Sequence, residues 1–313
     1  MRNAIQCCAA VGLMLCVVGC REKVELSRMS EPGTYRVTVD TETRQSFQGG
    51  PMDGQSQDVE MTMEMRVECG EVDADGEQTT VLTFERVRQE IEHAHGVMTY
   101  DSDATEGNAP ILAKSLGALV GTKFRVVTDA DGKVVEAEGL DAMWDEMARR
   151  MPDAAPMFEQ MKAMLGDEAM SQMVSQQAKM LPGEPVGVGD TYADTMEFSV
   201  PMAGALTFAY DAEVLSIEEQ DGHEMVEIAF DGTMSSEGGE LPMTAGVATE
   251  LQGMEFRQKG TMLFDATLGL FATVETSQEG EIHVTIDPPE QEAVEMVIDQ
   301  KTDTKVTSRR EEP

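Results

Sequence analysis

The sequence predicts an α+β fold: curved antiparallel β-sheet, half-barrel-like, with a central Met-rich helical segment packed on the sheet. Three observations predict it. Long stretches alternate apolar and polar residues with period two, as half-buried antiparallel strands do. One central stretch repeats its apolar residues with the 3.6 period of a helix. Turn signals built on Asp-Gly separate the strand runs, as hairpins require.

Taken in order, the chain opens on Arg2 and an apolar run from Cys7 to Gly19. That run is too short to span a bilayer and ends in small residues, the layout of a secretory leader. Its ending, Val17-Val18-Gly19-Cys20, resembles the bacterial lipobox, in which the Cys thiol is acylated before cleavage. The resemblance implies that residues 1–19 leave as a lipoprotein signal peptide and that Cys20 carries lipid, with residues 20–33 as a lipidated tether. Acyl chains contribute about 0.8 kcal/mol per buried methylene, so several of them hold a protein to a membrane. The expected address is the bacterial cell envelope, lipid-anchored and facing the periplasm or in the outer membrane. Arg21 in place of Asp permits the latter by resemblance to enterobacterial sorting.

A first β-rich half is expected over residues 34–139. Tyr35, Val37 and Val39 alternate with polar residues, and Val59, Met61, Met63, Met65 and Val67 line one face of the next run. The turn DADGEQ then leads into TVLTFERVRQEI. NAPILAKSLGALV reads as a helix with Asn108 as cap and Pro110 near its start. KFRVV and KVVEAEG flank TDADG as a hairpin. Residues 140–189 are a helical segment, broken near Pro152 and Pro156, and a linker, LPGEPVGVGD. A second β-rich half is expected over 190–307, and a polar tail over 308–313. Both halves carry two strands around an acidic Asp-Gly turn and then a Gly-Thr hairpin, a pattern that suggests duplication.

Within the central segment, Met157, Met161, Met164 and Leu165 stand at i, i+4, i+7 and i+8. They are the candidate residues for facing an apolar small molecule, because flexible thioethers repack around varied guests. Plain core packing on the sheet is the competing reading.

Composition excludes some partners. A formal charge of −36 rules out nucleic acid and disfavours adsorption to anionic headgroups, which leaves the acyl anchor as the link to a membrane. Cys7, Cys8 and Cys16 lie in the leader and Cys20 takes lipid, so Cys69 alone remains, without an intrachain disulfide partner. In a strand-like run it reads as a small buried hydrophobe.

Several motifs together resemble one family. They are the lipobox, YDS (Tyr100 to Ser102), the hairpin DADGKV leading to GLD, and PVGVGDTY before the second set of strands. In this order they are similar to the uncharacterised bacterial envelope lipoproteins of domain-of-unknown-function family 6263. The resemblance covers most of the mature chain and implies no catalytic residues. Tyr192 is a departure, since Trp is expected there in many relatives.

Other candidate sites have bland explanations. Asp73-Ala-Asp75-Gly76 and Asp129-Ala-Asp131-Gly132 suggest calcium, but strands flank both, as in hairpin turns. His93 and His95 would share a strand face, the start of a metal site without further ligands. Met61, Met63 and Met65 offer thioethers suited to Cu(I), yet their alternation places them on a core face. Gly-x-Ser-x-Gly, a phosphate-binding glycine loop and HExxH are missing from the sequence. A non-catalytic protein without cofactor is therefore expected. Three readings follow: an apolar-ligand binder, a structural or interaction lipoprotein with a filled core, and an enzyme whose site is assembled across loops.

Overall fold

The computed structural model describes residues 23–104, 120–150, 155, 158–159, 162, 166–200, 204–244, 247–287 and 292–311. The first half supplies β1 (Gly33–Gln48), β2 (Ser56–Val72), β3 (Gln78–His93), β4 (Gly96–Asp101), β5 (Lys123–Thr128) and β6 (Val134–Glu138). Two helices follow, α1 (Leu140–Arg150) and α2 (Asp167–Lys179). The second half supplies β7 (Thr191–Val200), β8 (Gly204–Gln220), β9 (His223–Ser236) and β10 (Gly239–Thr244). It ends with β11 (Val247–Asp265), β12 (Leu270–Asp287) and β13 (Val294–Arg310).

These strands form one 13-stranded sheet in the order β6-β5-β3-β2-β1-β13-β12-β11-β9-β8-β7, with β4 on β3 and β10 on β11. Every pairing is antiparallel. The first and last strands meet in the middle, from Tyr35 opposite Arg310 to Gln48 opposite Val297. The expected α+β fold with a central helical segment is thus corrected to a nearly all-β fold. Helical text yielded two short α-helices and four further helical residues, 155, 158, 159 and 162, among the described residues, whereas the strands run longer than their alternation suggests. β13 is the clearest case. Gln300, Thr302 and Thr304 face one side and Lys301, Asp303 and Lys305 the other, so polarity on both faces hides the period. The helix read over Asn108 to Val120 lies almost wholly outside the described residues.

The sheet is curled. Eleven strands laid flat at about 4.8 Å would hold the edges β6 and β7 about 48 Å apart. Helix α2, about 20 Å long, nonetheless approaches both edge strands. Ser175 on α2 accepts the Val134 N–H of β6 at 3.0 Å. Helices and linker lie against the apolar face, so that face is the inner one. Leu140, Met143, Trp144, Met147 and Phe158 pack there with Phe124 and Val126. Leu181 and Val186 pack there with Phe208, Val214, Ile228 and Phe264. The two helix starts cap each other: Leu140 N–H donates to Asp167 Oδ1 at 2.8 Å and Asp167 N–H to Asp141 Oδ1 at 3.0 Å. Each carboxylate satisfies an orphan donor at the positive end of the other helix.

One end of the curl is strapped by residues 24–32. Val24 pairs with Val186, Arg28 donates to the Leu181 carbonyl at 2.7 Å, and Glu31 N–H donates to Leu268 O at 2.8 Å. Ser30 meets Gln78 twice, through its N–H to Oε1 at 3.0 Å and its carbonyl to Nε2 at 2.6 Å. Gln78 also donates to Gly70 O, so this buried amide is saturated. Asp265 fixes the adjacent turn, accepting from Thr267 and Leu268 N–H and lying 2.7 Å from His223 Nδ1. The segment expected as a tether is therefore tied to the linker, to the β11–β12 turn and to the start of β3.

Candidate functional site

Alternation along such long strands builds two different faces. The outer one is charged throughout: Glu60, Glu64, Lys305, Glu275, Arg257 and Asp231 are examples. Its pairs, such as Lys305–Glu275 at 2.6 Å, are half exposed and contribute little stability. A shallow groove of about 740 Å³ crosses this face between Arg44, Asp58, Arg257 and Glu279. A membrane-spanning barrel needs an apolar outer band, and this face has none among the described strands.

The inner face is organised in rows of directly opposed residues. Nearest the strap, Met63, Val39, Val306, Val274, Met262 and Ile228 run across six strands. Met262 and Ile228 are buried, whereas Met63, Val39, Val306 and Val274 are only half-buried. Towards the far end, Phe47, Ile298 and Ile282 form another apolar row, beside a small cluster with Leu251, Val284 and Met296.

Between these zones lies a polar belt. Thr41, Thr43 and Gln45 on β1 oppose Thr304, Thr302 and Gln300 on β13. Thr276, Gln278 and Gly280 continue the rows on β12, and Gln258 carries one of them onto β11. Hydrogen bonds run along the belt: Thr43 to Thr302 at 3.1 Å, Gln45 Nε2 to Gln300 Oε1 at 2.8 Å, and Gln300 Nε2 to Thr302 Oγ1 at 3.2 Å. Glycines beside it are covered by aromatic rings from the opposed residue. A Cβ on Gly260 would come within 2.9 Å of the Phe230 ring, and one on Gly280 within 2.7 Å of Phe256. The rings lie close over the backbone, which keeps the inner layer thin there.

A separate cleft of about 750 Å³ opens where strap, linker and β7 meet, lined by Lys23, Arg28, Asp190, Tyr192, Asp194 and Tyr210. Here Asp190 accepts from Gly187 N–H and pairs with Lys23 at 3.2 Å. The Tyr192 hydroxyl is buried without a hydrogen-bond partner among the described residues. Burial pushes its pKa well up, and burial, with Asp194 nearby, pushes Tyr210 up to about 12.

Of the residues singled out from sequence, Cys20, Met157, Met161, Met164 and Leu165 lie outside the described residues. Among the described helical residues, Leu140, Met143, Trp144 and Met147 in α1 pack on the sheet together with Phe158, and Met170 and Val174 of α2 pack against them. The i, i+3, i+4, i+7 spacing of the four α1 residues is the signal in the sequence that marks this face. His93 and His95 do not share a strand face, because β3 ends at His93 and the turn intervenes. Instead His93 Nδ1 accepts the His95 N–H at 3.0 Å, with the rings edge to face. Among the described residues no group of three or more His, Cys, Asp or Glu side chains is placed to hold a metal. The Asp-x-Asp-Gly pairs are hairpin turns: Asp73 Oδ1 accepts from Asp75 and Glu77 N–H, and Asp129 Oδ1 from Asp131 and Lys133 N–H. Met61, Met63 and Met65 take the inner face. Cys69 is half-buried, with Thr80 Oγ1 at 3.9 Å, and burial pushes its thiol up, away from nucleophilic use.

Among solved structures, lipovitellin, described for its lipid–protein interactions, is similar at 12% identity and a TM-score of 0.40 over 90% of this chain. The chain spans 26% of that lipovitellin chain. An outer membrane channel from Pseudomonas putida F1 is similar at 7% identity and a TM-score of 0.24, covering 90% of this chain and 98% of the channel. Salmonella typhi OmpF in complex with daunomycin gives 7% identity and 0.21, over 90% of this chain and 100% of that one. No curated protein matches the sequence. The sequence itself is decisive on kinship: residues 75–271 match one family's model, and the chain belongs to that family of unknown function, DUF6263.

Proposed function

We propose that this chain is a lipid-anchored protein of the bacterial envelope that holds an apolar ligand against the inner face of its curled sheet, without catalysis. One observation carries the reading. Apolar residues at mid-sheet, Val37, Val39, Met61, Met63, Val274 and Val306, are only half-buried, although they face the side that the helices and strap cover elsewhere. A filled core would bury such residues, each fully buried one contributing about 1.5–3 kcal/mol. A surface left open beneath a curled sheet is where a guest gains the same burial. The lipobox ending at Cys20 supports the anchor, four residues before the strap begins at Val24.

The direct test is uptake of an uncharged apolar fluorophore, N-phenyl-1-naphthylamine, by the detergent-free mature protein. Saturable enhancement of its emission, competed by long-chain lipid, is expected. A flat titration would leave the filled-core structural reading in its place. For the anchor, Cys20→Ala is expected to accumulate a longer, unlipidated precursor; normal processing and detergent partitioning would remove that part.

A further inference from the structure

We propose that the polar belt of the inner face selects the class of ligand: an acyl lipid whose polar junction is an uncharged ester or amide. The inference rests on the apolar-ligand reading above and deepens it. On β1, β11, β12 and β13 the inner side chains of the belt rows include Thr41, Thr43, Gln45, Gln300 and Thr302 and no Lys, Arg, Asp or Glu; the Thr43 row meets an acid, Asp194, only at the edge strand β7. A carboxylate or phosphate seated there would lie unpaired, at the cost of burying an uncompensated charge. An ester or amide meets partners of its own kind, because Gln and Thr both donate and accept.

The belt makes poor sense as core. Packing favours apolar side chains there, and a polar group taken from water costs roughly 1–3 kcal/mol unless bonded. Bonds within the belt are lateral and leave capacity unused: each glutamine amide has four hydrogen-bonding positions. Gln89 supplies an independent sign. It lies on β3 opposite Met61, which is opposite Thr41, so it extends a belt row. The residue is 8% exposed, and its Oε1 is buried without a hydrogen-bond partner among the described residues. An unsatisfied buried acceptor in a polar row is a place where a donor belongs, which an amide N–H or a ligand hydroxyl beside the ester supplies and the ester oxygens do not.

Dimensions agree. From Val37, the first half-buried inner residue beyond the buried Tyr35, to Thr41 is four residues, about 14 Å at roughly 3.4 Å per residue. One leaflet of a bilayer has a hydrocarbon depth of about 15 Å, half of the usual core. Acyl chains reaching into the strap-end zone therefore bring their junction to the height of the belt.

The test uses the full mature protein loaded with N-phenyl-1-naphthylamine and three competitors of equal chain length: monooleoylglycerol, oleate and octadecene. Wild type is expected to prefer monooleoylglycerol over both others by at least tenfold. The double variant Thr43→Val with Thr302→Val, which removes both partners of one hydrogen bond and keeps their shape, is expected to fold and to lose most of that preference. Circular dichroism checks the fold, and Gln45→Met with Gln300→Met repeats the comparison if the first pair fails it. Equal competition by all three lipids on wild type would overturn the belt's role while leaving the apolar-ligand reading standing. Absence of dye binding by wild type would overturn both. A dimer by native mass spectrometry that excludes dye would assign the inner face to a second copy and overturn the proposal.

Discussion

The strapped end of the sheet and its belt are built from the same strands and the same alternation, yet they do opposite things. At the strap, Tyr35, Val226, Phe264 and Gln78 are all at most 3% exposed, and each polar atom of Gln78 has a partner. Six residues along β1, Thr41 is half-buried and faces a polar row. The difference teaches where the fold's stability resides. A curled single sheet cannot fill its own interior along its whole length, so the ends that helices, linker and strap cover become the core. The mid-sheet stretch between them stays half-buried.

The sharpest way to break that comparison is to truncate one apolar residue in each region. Phe264→Ala, at 1% exposure, is expected to lose about 3–5 kcal/mol in denaturant unfolding. Val39→Ala, half-buried beside the belt, is expected to lose about 1 kcal/mol. Equal losses would mean that the interior is evenly packed. Next in size is the strap. Gln78→Leu leaves Ser30 and Gly70 backbone groups unpaired, at about 1–3 kcal/mol. Proteolysis should then cut within residues 23–32 before the sheet unfolds; unchanged protection would show that the apolar contacts of Val24 and Leu26 hold the strap alone.

The smallest effect is electrostatic. All four tyrosines are raised above their ordinary pKa, burial being the largest cause for each, and Tyr210 reaches about 12. A folded state that keeps a proton released by the unfolded chain loses stability as pH rises through the interval between the two values. Burial raises the Cys69 thiol in the same direction, so stability is expected to begin to fall near about pH 9 and to fall further from about pH 10 towards about 12. Absorbance of tyrosinate should rise together with loss of the fold. Full ionisation near pH 10 with the sheet intact would contradict the burial of Tyr192 and Tyr210.

Hairpins were the legible part of this fold, because their signals are local. Asp221 and Gly222 both take positive φ, 54° and 84°, as the Asp-Gly of QDGH implies, and the GTMLFDATLGLFATV pairing between β11 and β12 was equally readable. The pairing of β1 with β13 was not, since no local residue encodes a contact between opposite ends of a chain. β13 escaped notice because its belt residues are polar on both faces, so the feature that gives the inner face its chemistry also erased its signature. Strap residues read as tether for a similar reason: Ser30 and Glu31 are polar, and only the distant Gln78 and Leu268 bring them into the structure. The helical period of the central segment is legible in Leu140, Met143, Trp144 and Met147, which pack on the sheet, while the stripe Met157, Met161, Met164 and Leu165 lies outside the described residues.

The central claim is that the mid-sheet inner face is occupied by a lipid in the cell. Native mass spectrometry of the protein purified mildly from its own host tests it most directly. The account predicts the mature lipidated chain together with a population carrying one further non-covalent, lipid-sized adduct that collisional activation removes, diminished in the Thr43→Val, Thr302→Val variant. A spectrum holding only the bare lipidated chain, for wild type and variant alike, would contradict it.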